Sequence, residues 1–289
     1  MVVRKLWSLL CLLAWVIPAH GQPGAITQNS LAPAQAQALV DRALATELRT
    51  AQDPNRPMRY LLRKSSPRLT TTKEIVETRD GAVARLLSIN DKPLNPTDEQ
   101  NEQARLNLLA GNPNLQRHRK QGEDQDLGIV LKLLRMLPNA FLYHYESSSA
   151  GPAGPIQRFS FRPNPQFSPP DFESQALTAM TGELWIDASG ERVMRLEGHL
   201  QQDTDYAWGI LGKLNKGGWI VLEQQDVGQN QWRIVHFQMQ ISLRILFKTK
   251  DFDTVEQMTR YVPVPVGLDY RQAIEMLRAS PGGGAQPGQ

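Results

Sequence analysis

Residues 180–200 read MTGELWIDASGERVMRLEGHL, and this stretch decides the fold. Leu184 and Ile186 alternate with Glu183 and Trp185, the two-residue period of a strand with one buried face. Ala188, Ser189 and Gly190 then supply a turn, and Arg192 to Leu200 runs back with Met194, Leu196 and Leu200 at apolar positions. A second hairpin follows the same plan. Trp219 to Gln225 and Gln231 to Leu243 flank Val227-Gly228-Gln229-Asn230, with Ile220, Leu222, Val235, Phe237, Met239, Ile241 and Leu243 on one side. The other side carries Glu183, Arg195, Glu197, His199, Glu223, Gln225, Gln238 and Gln240. Two antiparallel hairpins with one apolar face predict a broad sheet that must cover that face with helices, a partner or a ligand.

Working outward, the rest of the C-terminal half is also strand-like. Phe141, Tyr143 and Tyr145 alternate, as do Phe159 and Phe161, with a proline-rich loop from Pro163 to Pro170. Tyr206 to Leu214 and Ile245 to Val262 are further strands, and Asp269 caps a short helix from Tyr270 to Arg278. Toward the N-terminus, Leu39, Val40, Ala43, Leu44 and Leu48 recur at helical spacing up to about Asp53. Strands follow at Met58 to Ser65, Arg68 to Glu77 and Ala82 to Asn90, with Asp80-Gly81 as a turn signal. Asn95 caps and Pro96 opens a polar helical stretch. Leu127, Val130, Leu131, Leu134 and Leu137 then stripe a helix over 126–137, which Pro138 ends. Strands that never alternate with helices exclude a parallel doubly wound sheet. The expected class is α+β: a large curved antiparallel sheet, or half-open barrel, with an N-terminal helix and an inserted helical pair (about 96–137) packing on its concave face.

Composition narrows the function classes. Hydrophobic residues make up 40% of the 289, with 21 glycines, an ordinary globular balance. Arg4 and Lys5, the uncharged run from Leu6 to Ile17, and Ala19-His20-Gly21 read as a cleaved export signal over 1–21, so the expected compartment is the periplasm. A flexible tether over 22–33, one domain over 34–279 and a glycine- and proline-rich tail over 280–289 complete the plan. The formal net charge is +3, and removing the leader leaves about +1, no electrostatic footprint for nucleic acid. Cys11 is the single cysteine and lies in the leader, so the mature chain offers no thiol nucleophile, thiolate metal site or disulfide. No transmembrane segment is expected in the mature chain.

Chemistry-bearing motifs are sparse. Gly209-Ile210-Leu211-Gly212-Lys213 resembles a phosphate loop, but Ala207 and Leu214 stand where that loop needs glycine and a hydroxyl. No Gly-x-Ser-x-Gly is present. His144 with Glu146, and Glu197 with His199, share strand faces and are the pairs an enzyme or metal site would use, yet neither completes a metal pattern. The expectation is a protein with no catalytic residues, cofactor or metal.

Several segments together carry a resemblance. They are Asn90-Asp91-Lys92-Pro93-Leu94, Met180 to Asp187, Arg195-Leu196-Glu197-Gly198, Gly209 to Gly218, Glu223-Gln224 and Phe247-Lys248-Thr249. Over about 55–278 the chain resembles an uncharacterised family of exported bacterial proteins, seen in acidobacteria-like genomes. More distantly, the Gly-x-x-Trp-Ile-Asp strand and the Arg-x-x-Gly strand are similar to the outer-membrane lipoprotein-carrier (LolA/LolB-like) superfamily. That resemblance implies a half-barrel with a helical lid over an apolar cavity, and lipid or lipoprotein acyl chains as partners. Strand parity nominates Met194, Leu196, Leu222, Phe237 and Met239 as the cavity lining. A filled core, in a structural or sensory module that binds an envelope protein, is the alternative.

Overall fold

The computed structural model describes residues 31–206, 212–245 and 248–280. The proposed leader, most of the tether, nearly all of the tail and the Gly209–Leu211 part of the phosphate-loop-like segment lie outside the described residues. Helix α1 (Pro33–Ala51) is followed by strands β1 (Met58–Ser65), β2 (Thr70–Val76), β3 (Val83–Ile89) and β4 (Lys92–Pro93). Helices α2 (Pro96–Gly111) and α3 (Pro113–Ala140) lead to β5 (Phe141–Ala150) and β6 (Pro155–Pro163). After the short α4 (Phe172–Gln175) come β7 (Met180–Asp187), β8 (Arg192–Leu200), β9 (Thr204–Tyr206) and β10 (Gly212–Leu214). The chain ends with β11 (Trp219–Asp226), β12 (Trp232–Ile245), β13 (Lys248–Pro263) and α5 (Tyr270–Ala279).

All thirteen strands belong to one antiparallel sheet, ordered β4-β3-β2-β1-β13-β12-β11-β8-β7-β6-β5, with β10 on β12 and β9 on β10. The sheet has two ends, so it is not closed into a barrel. Its α+β class is that expected from the hairpins at 180–200 and 219–243. Register carries one face across the strands: Phe159, Leu184, Leu196, Leu222 and Phe237 are successive direct partners.

Helices cover this inner face at one end. There α1 lays Ala36, Leu39, Val40, Ala43 and Leu44 on Phe159, Phe161, Leu184, Ile186 and Val193, with Ala140 and Phe141 closing the cluster. A second cluster joins Val76 and Val83 to Leu106 and Leu109 of α2 and to Tyr270, Ala273, Ile274 and Leu277 of α5. Val76 neighbours Ile75, whose partner Tyr60 faces the inner side, so strand alternation puts α5 on the outer face there. The expectation that both inserted helices pack on the concave face holds only for α3, whose Leu127, Val130 and Leu134 lie over Leu196 and Leu222, and not for α2, which packs with α5. Instead, α2 lies along β3, where Glu102 accepts from the Leu86 amide at 2.8 Å and Arg105 donates to the Ala84 carbonyl. Those two side chains occupy edge groups that β4 is too short to pair.

Helix α3 is longer than its apolar stripe predicts. It starts at Pro113, capped by Asn112 on the Leu115 amide, and passes through Pro138 to Ala140. Pro138 is tolerated because it falls in the last turn, where only one backbone bond is lost before the chain enters β5. The polar first half has a different role from the stripe. Gln116 donates to the Asp80 carbonyl at 2.8 Å, and Glu123 accepts from the Ala82 amide at 2.9 Å. Gly81 sits under this contact at φ +93°, and a Cβ there would meet Glu123 and Lys120 at 3.0–3.1 Å. So α3 is fastened at the β2–β3 turn and again on β5, and bridges the inner face between them.

Candidate functional site

Between its two fastenings α3 stands off the sheet. Leu127 and Val130 keep 40% and 50% of their surface although they belong to the stripe that faces inward. Beneath them lies a cavity of about 480 Å³. Its roof is Leu127, Val130, Leu134 and Leu137, its side is Leu44 of α1, and its floor includes Val193, Leu196, Ile220, Leu222 and Ile234. The volume lies in the range of about 300–1,000 Å³ usual for small-molecule sites, and so does the mainly apolar lining. Lys132 ties the middle of α3 to the short helix α4 through Asp171 at 3.0 Å and Glu173 at 3.1 Å. The Lys132 ammonium, with the Ser174 amide and hydroxyl, pulls the Asp171 carboxyl down to about 2.

Two polar clusters border the cavity. In the first, the Glu47 carboxylate accepts from Arg192 Nε and Nη2 at 2.8 and 2.9 Å, from the Val193 amide at 2.9 Å and from Gln224 at 3.1 Å. The Arg192 guanidinium also lies 5.4 Å from the Trp232 ring centre. This pair is buried, bidentate and saturated, and it pins α1 to β8.

The second cluster is open. Glu77 accepts the Met58 amide at 2.8 Å through one carboxylate oxygen, and burial pushes its carboxyl up against the pull of Arg233. Tyr60 and Tyr261 stack at 4.9 Å, and burial raises both phenols. Tyr261 donates to the Ile234 carbonyl at 2.6 Å, whereas the Tyr60 hydroxyl has no hydrogen bond among the described residues. Arg233 donates to the Arg56 carbonyl, but its buried Nε has no partner among the described residues.

Of the five nominated residues, Leu196 and Leu222 line the cavity. Phe237 and Met239 share their face, as partners of Leu222 and Ile220, but lie half-buried beyond the cavity lining. Met194 differs because β8 has a bulge: Trp185 pairs with Arg195 and Ile186 with Val193, leaving Met194 unmatched. The extra residue reverses parity, so Val193 takes the inward position that simple alternation gives to Met194. The roof residues were visible as the helical stripe. No short-range signal marks Glu77, Tyr60 and Arg233, which come from the residue after β2, from β1 and from β12.

The outer face is charged. Arg158 and Arg195 each lie 5.6 Å from the Trp185 ring centre, and they pair with Glu183, Glu197 and Glu223. Glu197 is thus engaged by Arg195 while His199 is exposed, and Glu146 accepts from Ser160 rather than from His144. A more open depression of about 690 Å³ on this side includes Glu223, His236, Gln257 and Arg260. Among the described residues no three His, Cys, Asp or Glu side chains gather as a metal site, and no helix is long and apolar enough to cross a membrane.

No protein-family model matches the chain, and a search of curated proteins returns no match. Among solved structures it is similar to a domain described as an outer membrane lipoprotein-sorting protein from Vibrio parahaemolyticus. Identity is 9%, the TM-score is 0.31, and the match covers 83% of this chain and 99% of that one.

Proposed function

We propose that this protein is a non-enzymatic periplasmic binder of a lipid or lipid-modified partner, with an acyl chain lying between α3 and the sheet. The observation that carries this reading is the standing gap of about 480 Å³ beneath α3, with an apolar roof and an apolar floor. The contacts of Gln116 and Glu123 at the β2–β3 turn and of Tyr143 with the Leu137 carbonyl oppose collapse of α3 onto the sheet. An open gap with apolar walls gains from an apolar occupant, at roughly 0.8 kcal/mol for each methylene taken from water. The filled-core alternative, an envelope module binding protein, requires that gap to be closed.

Native mass spectrometry of protein isolated from its own cell envelope, with extraction of bound lipid, tests the proposal. Adducts of acyl-chain mass are the expected result. A purified protein that carries no lipid and does not bind the apolar fluorophore N-phenylnaphthylamine overturns it.

A further inference from the structure

The two polar clusters at the cavity differ in one respect: the Glu47 cluster is saturated from within the protein, and the Glu77 cluster is not. A few polar groups facing an otherwise apolar cavity orient what binds there. Here Glu77, Tyr60 and Arg233 border one end of such a cavity, and neither the second Glu77 oxygen nor the Tyr60 hydroxyl has a hydrogen-bond partner among the described residues. Resting on the acyl-chain reading above, we propose that this cluster receives the head of a neutral amphiphile bearing both a hydroxyl and an ester carbonyl, as in a monoacylglycerol. The hydroxyl donates to Glu77, and the carbonyl accepts from Tyr60 or Arg233.

Charge balance selects a neutral head. The carboxylates that line the cavity are Glu47 and Glu77; Arg192 balances the first and Arg233 faces the second. An anionic head would enter partly desolvated with no cation left over, since Glu123 and Glu256 also bear on Tyr60, and an unpaired charge there is costly. A neutral head with one donor and one acceptor can complete the bonds the cluster lacks.

The test is competition against N-phenylnaphthylamine by monoolein, oleate and oleyl alcohol, which share an eighteen-carbon chain and differ in the head. Monoolein is expected to compete best. Arg233→Gln and Tyr60→Phe should each weaken monoolein by about tenfold and oleyl alcohol, which has no carbonyl, much less. Oleate competing better than monoolein overturns the neutral-head assignment, and so do equal affinities for all three. Loss of fluorophore binding by the unaltered protein refutes the acyl-chain reading itself, so the two failures are distinct. Should Arg233→Gln unfold, Tyr60→Phe carries the test, because it removes one hydroxyl that makes no hydrogen bond among the described residues.

Discussion

Leu184 and Leu196 are direct partners on β7 and β8, on one face and one strand apart, yet Leu184 lies inside the packed cluster and Leu196 at its margin. Leu184 is 1% exposed in the packed cluster under α1, whereas Leu196 is half-buried and borders the cavity. Changing each to aspartate separates an empty cavity from a filled one. At Leu196 the lost apolar burial falls toward the lower end of about 1.5–3 kcal/mol, and the new carboxylate can reach water in the gap. At Leu184 the full burial is lost and the carboxylate has neither water nor partner, so the cost exceeds about 4–5 kcal/mol. Urea unfolding followed by tryptophan fluorescence gives both values from the midpoints. Leu196→Asp should remain folded and bind N-phenylnaphthylamine far more weakly, while Leu184→Asp should fail to fold or unfold at very low urea. If Leu196→Asp loses as much stability as Leu184→Asp, Leu196 faces a dry core, and the cavity reasoning is refuted.

Three further outcomes follow from the same geometry. Glu47→Gln leaves Arg192 buried without its counter-charge and should cost about 3–5 kcal/mol in urea unfolding, much more than a surface pair. Glu77 has a carboxyl raised by burial, so its folded form holds a proton more tightly than the unfolded chain. Its contribution is favourable below the unfolded pKa and is lost as pH rises through the folded one, so Glu77→Gln should gain stability over wild type as pH increases, read from paired titrations of the urea midpoint. Glu102→Ala with Arg105→Ala uncovers the Leu86 amide and Ala84 carbonyl on the β3 edge and should increase self-association, measured by light scattering at matched concentration.

The hairpins at 180–200 and 219–243 were legible because alternation, turn residues and strand length all agree there. The Asn95 and Asp269 caps were legible for a similar reason, since a cap is settled within four residues: Asn95 bonds the Asp98 amide and Asp269 the Gln272 amide. Leu196 and Leu222 followed from parity, but parity holds only until a bulge intervenes. At Met194 one extra residue, just after Glu191 at φ +50°, exchanges the faces without any distinctive residue type to announce it. The first half of α3 was obscured because its anchors are polar, and a stripe search registers only apolar ones. The open polar cluster depends on pairing β1 with β13, which are neighbours only in space.

That last pairing also dictates an order of assembly. Met58 of β1 meets Pro263 of β13, so the N-terminal meander joins the sheet only through a strand far along the sequence. Bringing such distant segments together carries a loop-closure cost of about 4–5 kcal/mol before any contact compensates it. The β1–β3 and β5–β8 meanders both pair near neighbours in sequence and can form early, while β1 waits for β13 with its edge exposed. The chain is therefore expected to fold slowly for its size, with an intermediate lacking the β1–β13 seam. During that interval the unpaired strands are open to self-association, and to any chaperone that recognises extended apolar chain.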